Sequence, residues 1–133
     1  MLVSVTTDIC AGYPTPTGNI YTKSALKELC ARAFNPGDVP GKFLKVAGSI
    51  DQDILNALAQ SAERSPQMSL ISCSVINNEL VCNIEIDDLA LAEIIASGIC
   101  VARLFFEDKE IDDDRQVVVI GKVRAIFVGD YTS

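Results

Sequence analysis

The sequence predicts an α+β domain in which a mainly antiparallel β-sheet is covered by two or three short helices. Strand-like segments with alternating hydrophobicity recur along the chain, and two of them flank a short Asn-Asn turn. Between these strands lie short segments with the apolar spacing of helices. The chain has 133 residues, of which 49% are hydrophobic and 22% are charged, and these values are typical of one globular domain. We therefore expect residues 1–133 to form a single domain.

The N-terminal part of the chain predicts a strand, a loop and a helix. Residues 1–6 contain alternating β-branched residues, which favour a strand. Residues 7–19 contain two prolines and two glycines, so we expect an extended loop there and assign residues 7–21 to a loop or arm. Thr22 or Ser24 can cap a helix that runs to about residue 34, because apolar residues then share one face.

The next segment predicts a short strand over residues 42–47 and a second helix. Ser49 or Asp51 can cap this helix, whose apolar residues form one stripe. The helix is expected to end at Ser65-Pro66, because proline cannot continue it.

A β-hairpin is predicted for residues 68–76 and 79–86. They flank Asn77-Asn78, and asparagine tolerates the positive φ that a two-residue hairpin turn requires. Alternation in the second arm predicts one buried face and one largely wet face.

The C-terminal part predicts a third helix followed by two long strands. Asp87 can cap a helix that runs through Ser97, with Ile94 and Ile95 facing inward and Gly98 just past the end. The strands are expected over residues 99–107 and 116–128. The second strand is interrupted near Gly121, which suggests a bulge or a bend.

The sequence contains no histidine and no tryptophan. The missing imidazole excludes Ser-His and Cys-His nucleophiles and metal sites that need histidine ligands. A formal net charge of −7 opposes unassisted binding to nucleic acid or to an anionic membrane. The longest apolar runs, 117–120 and 125–128, are far shorter than the about 20 residues that cross a bilayer, and the N-terminus does not resemble a signal peptide. We therefore expect no nucleic-acid and no membrane partner.

Five cysteines are spread along the chain without a close Cys-x-x-Cys pair. Their odd number and apolar neighbours favour reduced thiols that pack in the core of a cytosolic protein, with thiol catalysis or redox sensing as the alternative.

Acidic residues are concentrated in residues 107–114. This segment predicts a solvated turn between two strands, and a contact loop or a calcium site is the alternative. Its spacing does not match an EF-hand, because no central glycine and no distal glutamate follow in register.

The remaining candidates for chemistry are weak, and we predict no catalytic residue, no metal and no cofactor. Asp87 is better explained as a helix cap than as half of an acidic pair with Asp88. Ser24 lies close to Lys23 and Lys27, but a lysine base must be desolvated, and these lysines are expected to be exposed. The glycines lack the spacing of a nucleotide-binding loop.

Residues 17–22, Thr-Gly-Asn-Ile-Tyr-Thr, resemble the Asn-Gly-Arg-Ile-Tyr-Pro signature near the start of tailed-phage prohead proteases and related head-assembly proteins. Gly18, Ile20 and Tyr21 match, whereas Asn19 and Thr22 stand where the family has arginine and proline. The predicted hairpin, third helix and following strand are similar in order to the family's paired strands, helix and active-site strand.

That family is similar in outline to herpesvirus-type assemblins, which cleave with a serine and a histidine. Here the histidine is absent, and Ala102-Arg103 lies near the position expected for the serine. The resemblance therefore implies a non-catalytic relative that keeps the fold. It implies a bacteriophage virion protein, most naturally a capsid decoration or cement protein, that is present in the host cytoplasm during assembly and binds the major capsid protein or another virion protein. The resemblance is also compatible with a homo-oligomer such as a trimer, and the residues themselves leave the oligomeric state open.

Binding to the lattice is expected through loops and a sheet edge, with the 7–19 loop as a contact arm that becomes ordered on its partner. Tyr13 and Tyr21 are candidate aromatic anchors, with Pro14, Pro16 and Asn19 beside them. Prolines reduce the entropy that a loop loses on docking. Ordinary loop packing is the alternative for both tyrosines.

Two other functions stay open at this point. A small acidic phage protein could inhibit a basic host protein through residues 107–114, and such binding would weaken steeply with salt. A small hydrolase would need a pocket built without histidine.

Overall fold

The computed structural model describes residues 1–16, 18–45 and 52–129, and these contain three helices and nine strands. In chain order the elements are β1 (Leu2–Cys10), β2 (Ile20–Tyr21), α1 (Lys23–Cys30), β3 (Pro40–Leu44), α2 (Gln52–Arg64), β4 (Met68–Ile76), β5 (Glu79–Glu85), α3 (Leu89–Ala96), β6 (Val101–Phe106), β7 (Lys109–Ile111), β8 (Gln116–Ile120) and β9 (Val123–Gly129). The predicted α+β class is confirmed. None of the described helices has the length and apolar character needed to cross a membrane.

Six strands form a closed barrel in the order β1-β5-β4-β3-β9-β6. Four of the six contacts between neighbouring strands are antiparallel, while β3 pairs with β9, and β1 with β6, in parallel. Closure was not evident from the sequence. Each of the six strands therefore has a paired neighbour on both sides, which limits the template for pairing with another chain, although β1 and β6 pair only at Thr7 and Ala102.

A second sheet has three strands in the order β2-β8-β7. The predicted strand over residues 116–128 is in fact two strands, because the chain leaves this sheet after β8 and enters the barrel as β9. The chain crosses over at Gly121, whose N–H donates to the Asp108 carbonyl at 2.6 Å. A Cβ added at Gly121 would lie 2.8 Å from that carbonyl oxygen, so the crossing requires glycine.

The first strand is longer than predicted, since residues 7–10 belong to β1 and not to a loop. Thr7 is buried, and its hydroxyl donates to the Leu80 carbonyl at 2.8 Å. At Thr7 the strand also pairs with Ala102 of β6, which closes the barrel. The prediction failed because Thr7 and Asp8 look like loop residues, although the barrel accommodates a threonine that is hydrogen-bonded.

The helix α1 begins as predicted and ends earlier. The Thr22 hydroxyl accepts the N–H of Ala25 at 3.1 Å, which confirms Thr22 as the N-cap. The helix ends at Cys30 and not near Phe34, because the Phe34 N–H donates to the Ile71 carbonyl of β4 at 2.9 Å. Pairing with the barrel therefore replaces the last predicted turn of helix.

The segment between α1 and β4 differs from its prediction at one boundary. The strand β3 starts at Pro40, two residues earlier than expected. The helix α2 ends at Arg64, directly before Ser65-Pro66, as predicted. The predicted caps Ser49 and Asp51, and the end of the predicted strand at residues 46–47, lie outside the described residues.

The β4–β5 hairpin is confirmed. Asn77 and Asn78 have φ values of 53° and 67°, and the register places Ile76 opposite Glu79. The core side of β5 is fully buried as predicted, although Val81 on the other face is also buried.

The third helix differs from its prediction in two details. Asp88, and not Asp87, is the N-cap, because its carboxylate accepts the N–H groups of Ala90 and Leu91. Ile95 is buried, but Ile94 is 49% exposed. Gly98, with φ of 88°, follows the C-cap as expected.

The core has two parts. The larger part combines inward-facing residues of the barrel with the buried side of α1 and with Val117 and Ile120 of β8. The smaller part lies where α2 packs on β6 and β9, and it consists of Ala59, Ala62, Phe105, Ala125 and Phe127. Both sheets and the helices are therefore held by buried apolar surface.

Candidate binding surface around the 11–19 loop

The loop between β1 and β2 is held by backbone hydrogen bonds at its base. The Ala11 N–H donates to Asn78 of the hairpin turn at 2.8 Å, and the Gly12 N–H donates to Tyr21 at 3.1 Å. Within the loop, the Thr15 N–H donates to the Asn19 carbonyl at 2.9 Å. The described part of this loop is therefore a tethered turn and not an extended arm. Thr17 lies outside the described residues.

The structure separates the predicted contact residues into two groups. Tyr13 is 64% exposed, and Pro14 and Pro16 are exposed beside it, while Asn19 is half-buried. Tyr21, by contrast, is only 5% exposed. The expectation that Tyr21 is a contact residue is therefore wrong, because it belongs to β2 and serves the core.

Tyr21 joins the small sheet to the barrel. Its ring packs against Phe106 of β6, with 5.9 Å between the ring centroids. Burial, and secondarily the nearby Asp8 carboxylate, raises the pKa of Tyr21 to about 12. The phenol is therefore neutral at ordinary pH.

A cleft opens beside Tyr21, where β1 and β6 of the barrel meet the small sheet. It has a volume of about 210 Å³, and the loop contributes Thr15 and Pro16 to its wall. Asp8, Arg103 and Lys109 add charged groups. Partial desolvation of its amine by the surrounding cleft lowers the pKa of Lys109, although the residue as a whole is exposed. The cleft is therefore a small site of mixed charge, with no cysteine or serine among its lining residues.

A separate groove lies between α1 and the tip of the β4–β5 hairpin. Its volume is about 310 Å³, and its apolar wall is formed by Ala11, Leu26, Cys30 and Val75. Lys23, Lys27 and Asn78 complete the lining. Beside it the hairpin exposes 42% of Val75 and 56% of Ile76. Sequence reasoning missed this groove, because its walls come from segments about 50 residues apart.

The cysteines are all free. Cys73, Cys82 and Cys100 are buried as predicted, whereas Cys10 and Cys30 are only half-buried. Cys73 lies directly opposite Cys82 in the hairpin. A hydrogen bond to Cys73, together with burial, raises the pKa of Cys82, and burial raises the pKa of Cys30. The thiols of Cys30 and Cys82 are therefore weak nucleophiles at neutral pH.

Polar side chains on the β4–β5 hairpin and at the start of α3 have structural partners. Ser72 and Ser74 accept hydrogen bonds from the Asn83 amide at 3.0 and 3.3 Å. Asp88 caps α3. Within residues 1–16, 18–45 and 52–129, no group of three or more Cys, Asp or Glu side chains is arranged to hold a metal ion.

The acidic segment forms the β7–β8 hairpin. Residues 107–115 are exposed, as expected for an acidic turn between two strands, although β7 itself was not predicted. This exposure fits both the solvated turn and the contact loop. The Asp112 carboxylate accepts the N–H groups of Asp114 and Gln116, both at 2.9 Å, and this fixes the turn. Arg115 takes a positive φ of 62° there, and its carbonyl accepts the Ile20 N–H of β2.

Comparisons with known proteins give no match. The chain matches no family model, no curated protein and no solved structure. The resemblance of residues 17–22 to the prohead protease signature therefore stays a prediction, and function has to be argued from the surface described above.

Proposed function

We propose that this protein is a non-enzymatic bacteriophage virion protein that binds an assembled capsid lattice as a decoration or cement protein. The observation that carries the proposal is Tyr13, which is 64% exposed on a turn whose base is fixed by backbone hydrogen bonds. Its partner is the major capsid protein or another virion protein. The protein acts in the virion and is present in the host cytoplasm during assembly.

A fixed loop with an exposed aromatic ring suits binding. Tyrosine supplies a large contact area at low conformational cost, and aromatic anchors dominate many interfaces. Because the loop is already tethered to Asn78 and Tyr21, little further entropy is lost when it docks. Pro14 and Pro16 restrict it further.

The topology also favours docking through loops. Augmentation by a partner strand requires an open sheet edge, and each strand of the closed barrel already has a neighbour on both sides. Among the described strands the outer edge of β7 is short, with only three residues. Contacts of this protein are therefore best made by the loop and by hairpin tips.

The site chemistry supports a binding role over catalysis. The resemblance would place a catalytic serine near Ala102-Arg103, and here Arg103 contributes a cation to the cleft while Ala102 is fully buried. The sequence has no histidine that could activate another nucleophile. Tyr21 is held neutral by burial.

The test is co-sedimentation of the purified protein with assembled phage capsids. We expect saturable pelleting that survives high salt, because an aromatic anchor depends little on charge. Tyr13→Ala should weaken pelleting by about tenfold or more, as loss of a hot spot does, while the far-UV circular dichroism stays unchanged.

Leu89→Ala is the matched control. Leu89 is 61% exposed, close to the value for Tyr13, but it follows β5 at the opposite end of the barrel from the Asn77-Asn78 turn. Equal pelleting by wild type and Tyr13→Ala would remove the loop from the interface. Absence of pelleting by the wild type would overturn the capsid role and favour the host-binding or hydrolase hypotheses.

A further inference from the structure

Two lysines stand on the rim of the apolar groove. Lys23 is the first residue of α1, and Lys27 lies one turn later; both are exposed. Neither side chain forms a hydrogen bond or an ion pair with the part of the chain that the structure describes. The ion pairs found there use other groups: the Met1 amino group with Glu85, Arg32 with Glu28, Lys122 with Glu107, and Arg124 with Glu63.

The position of Lys23 is unfavourable for the helix. The N-terminus of a helix carries a partial positive charge, so a cation there is repelled. Like charges four residues apart repel each other as well. The first turn of α1 contains no acidic residue that could offset this. Helix stability therefore does not explain Lys23, although it does explain Lys27, which lies in the last turn.

The two lysines lie beside an apolar surface. Its wall is apolar, with Leu26 fully buried at its base and Val75 partly exposed at its edge. In a chain of net charge −7, a basic rim around an apolar groove is complementary to an acidic segment that carries an apolar side chain.

The β7–β8 turn has that chemistry. Asp113 and Asp114 are exposed, and their carboxylates have no partner among the described residues. Ile111, directly before the turn, is 45% exposed, and Val119 on the neighbouring strand is 46% exposed. The Asp112 carboxylate holds the turn in one conformation, so docking it costs little entropy.

We propose that the groove of one copy receives the β7–β8 turn of a second copy of this chain. Lys23 and Lys27 pair with Asp113 and Asp114, and Ile111 covers the apolar wall. The two surfaces share no residue, so the contact is head-to-tail and generates a closed ring when the rotation between copies permits it. The contact does not depend on a capsid, and it is tested without one.

The experiment is sedimentation velocity of the purified chain over a concentration series at low and at high salt. We expect reversible self-association that weakens by at least tenfold at high salt, because exposed charges are screened. The double variants Lys23→Glu/Lys27→Glu and Asp113→Lys/Asp114→Lys should each be monomeric. A mixture of the two should associate again, because each supplies the surface that complements the other.

Lys45→Glu is the control for charge alone. Lys45 is exposed and follows β3, which runs away from the hairpin tip beyond its pairing with Met68. The Lys45→Glu variant should associate like the wild type. A wild-type chain that stays monomeric up to its solubility limit would overturn the proposal, and so would a failure of the mixed variants to associate while both remain folded by circular dichroism.

Discussion

The closed barrel and the three-stranded sheet use similar apolar residues in opposite ways. Residues 125–129 of β9 are all buried, whereas Val118 and Val119 of β8 are 40% and 46% exposed. Each described strand of the barrel has a paired neighbour on both sides, whereas the small sheet is open and has β2 and β7 as its edge strands. The strand β9 is thus buried on both faces, whereas β8 buries Val117 and Ile120 and keeps its other face exposed. The exposed face of the small sheet, together with the loop, the groove and the β7–β8 turn, is available for contacts.

The largest effect is expected in the barrel. Phe127 is fully buried between β9 and α2, so Phe127→Ala should lower the free energy of unfolding by about 3–5 kcal/mol, through lost burial and the cavity left behind. Urea denaturation monitored by circular dichroism measures this change.

Val119→Ala tests the exposed face of the small sheet. Because Val119 is 46% exposed, this variant should change the free energy of unfolding by no more than about 0.5 kcal/mol. Similar losses in the two variants would contradict the contrast between the buried strand β9 and the exposed face of the small sheet.

A second effect is expected where the two regions meet, at Tyr21. Its pKa is raised to about 12 in the folded state, against about 10 for an unfolded chain. The neutral phenol is thus favoured by folding, and its contribution is fully present below pH 10 and is lost as the pH rises toward 12. A difference of two pKa units between the folded and the unfolded state corresponds to about 2–3 kcal/mol in the free energy of unfolding.

The measurement compares wild type with Tyr21→Phe in urea denaturation at a series of pH values from neutral to strongly alkaline. The difference in the free energy of unfolding between the two proteins should shift against the wild type above pH 10, since phenylalanine cannot ionise. Lysines titrate in both proteins and cancel in the difference. A pH-independent difference would mean that the Tyr21 hydroxyl is solvated and that water enters between the small sheet and the barrel.

The sequence predicted the elements whose signals are local. The Asn77-Asn78 turn needs only positive φ values at two asparagines, and Thr22 needs only to accept one N–H three residues ahead. Both depend on residues adjacent in the chain. For the same reason the exposed acidic turn at residues 107–114 could be predicted from its charges alone.

The features that the sequence did not predict depend on pairing between distant segments of the chain. Residues 7–10 look like a loop until Thr7 pairs with Ala102, nearly 100 residues away. Tyr21 looks like an exposed anchor until the small sheet places it against Phe106. The groove combines α1 with the β4–β5 hairpin. In each case burial depends on a distant segment, which no local pattern encodes.

The smallest expected effect concerns Lys23, at the border of the contact region. Lys23→Glu places an anion at the positive end of α1 and an opposite charge four residues before Lys27, so it should raise the free energy of unfolding by about 0.3–1 kcal/mol. Lys27→Glu should be neutral or destabilising, because Lys27 lies in the last turn, where a cation is favourable.

The free energies of unfolding of both variants are measured by urea denaturation at low salt and at dilution, where the chain is monomeric. A gain from Lys23→Glu alone means that the native sequence gives up helix stability at the groove, as proteins do where a surface is kept for binding. A loss would instead give Lys23 a structural role in the monomer and would sharpen the boundary between the two regions at α1.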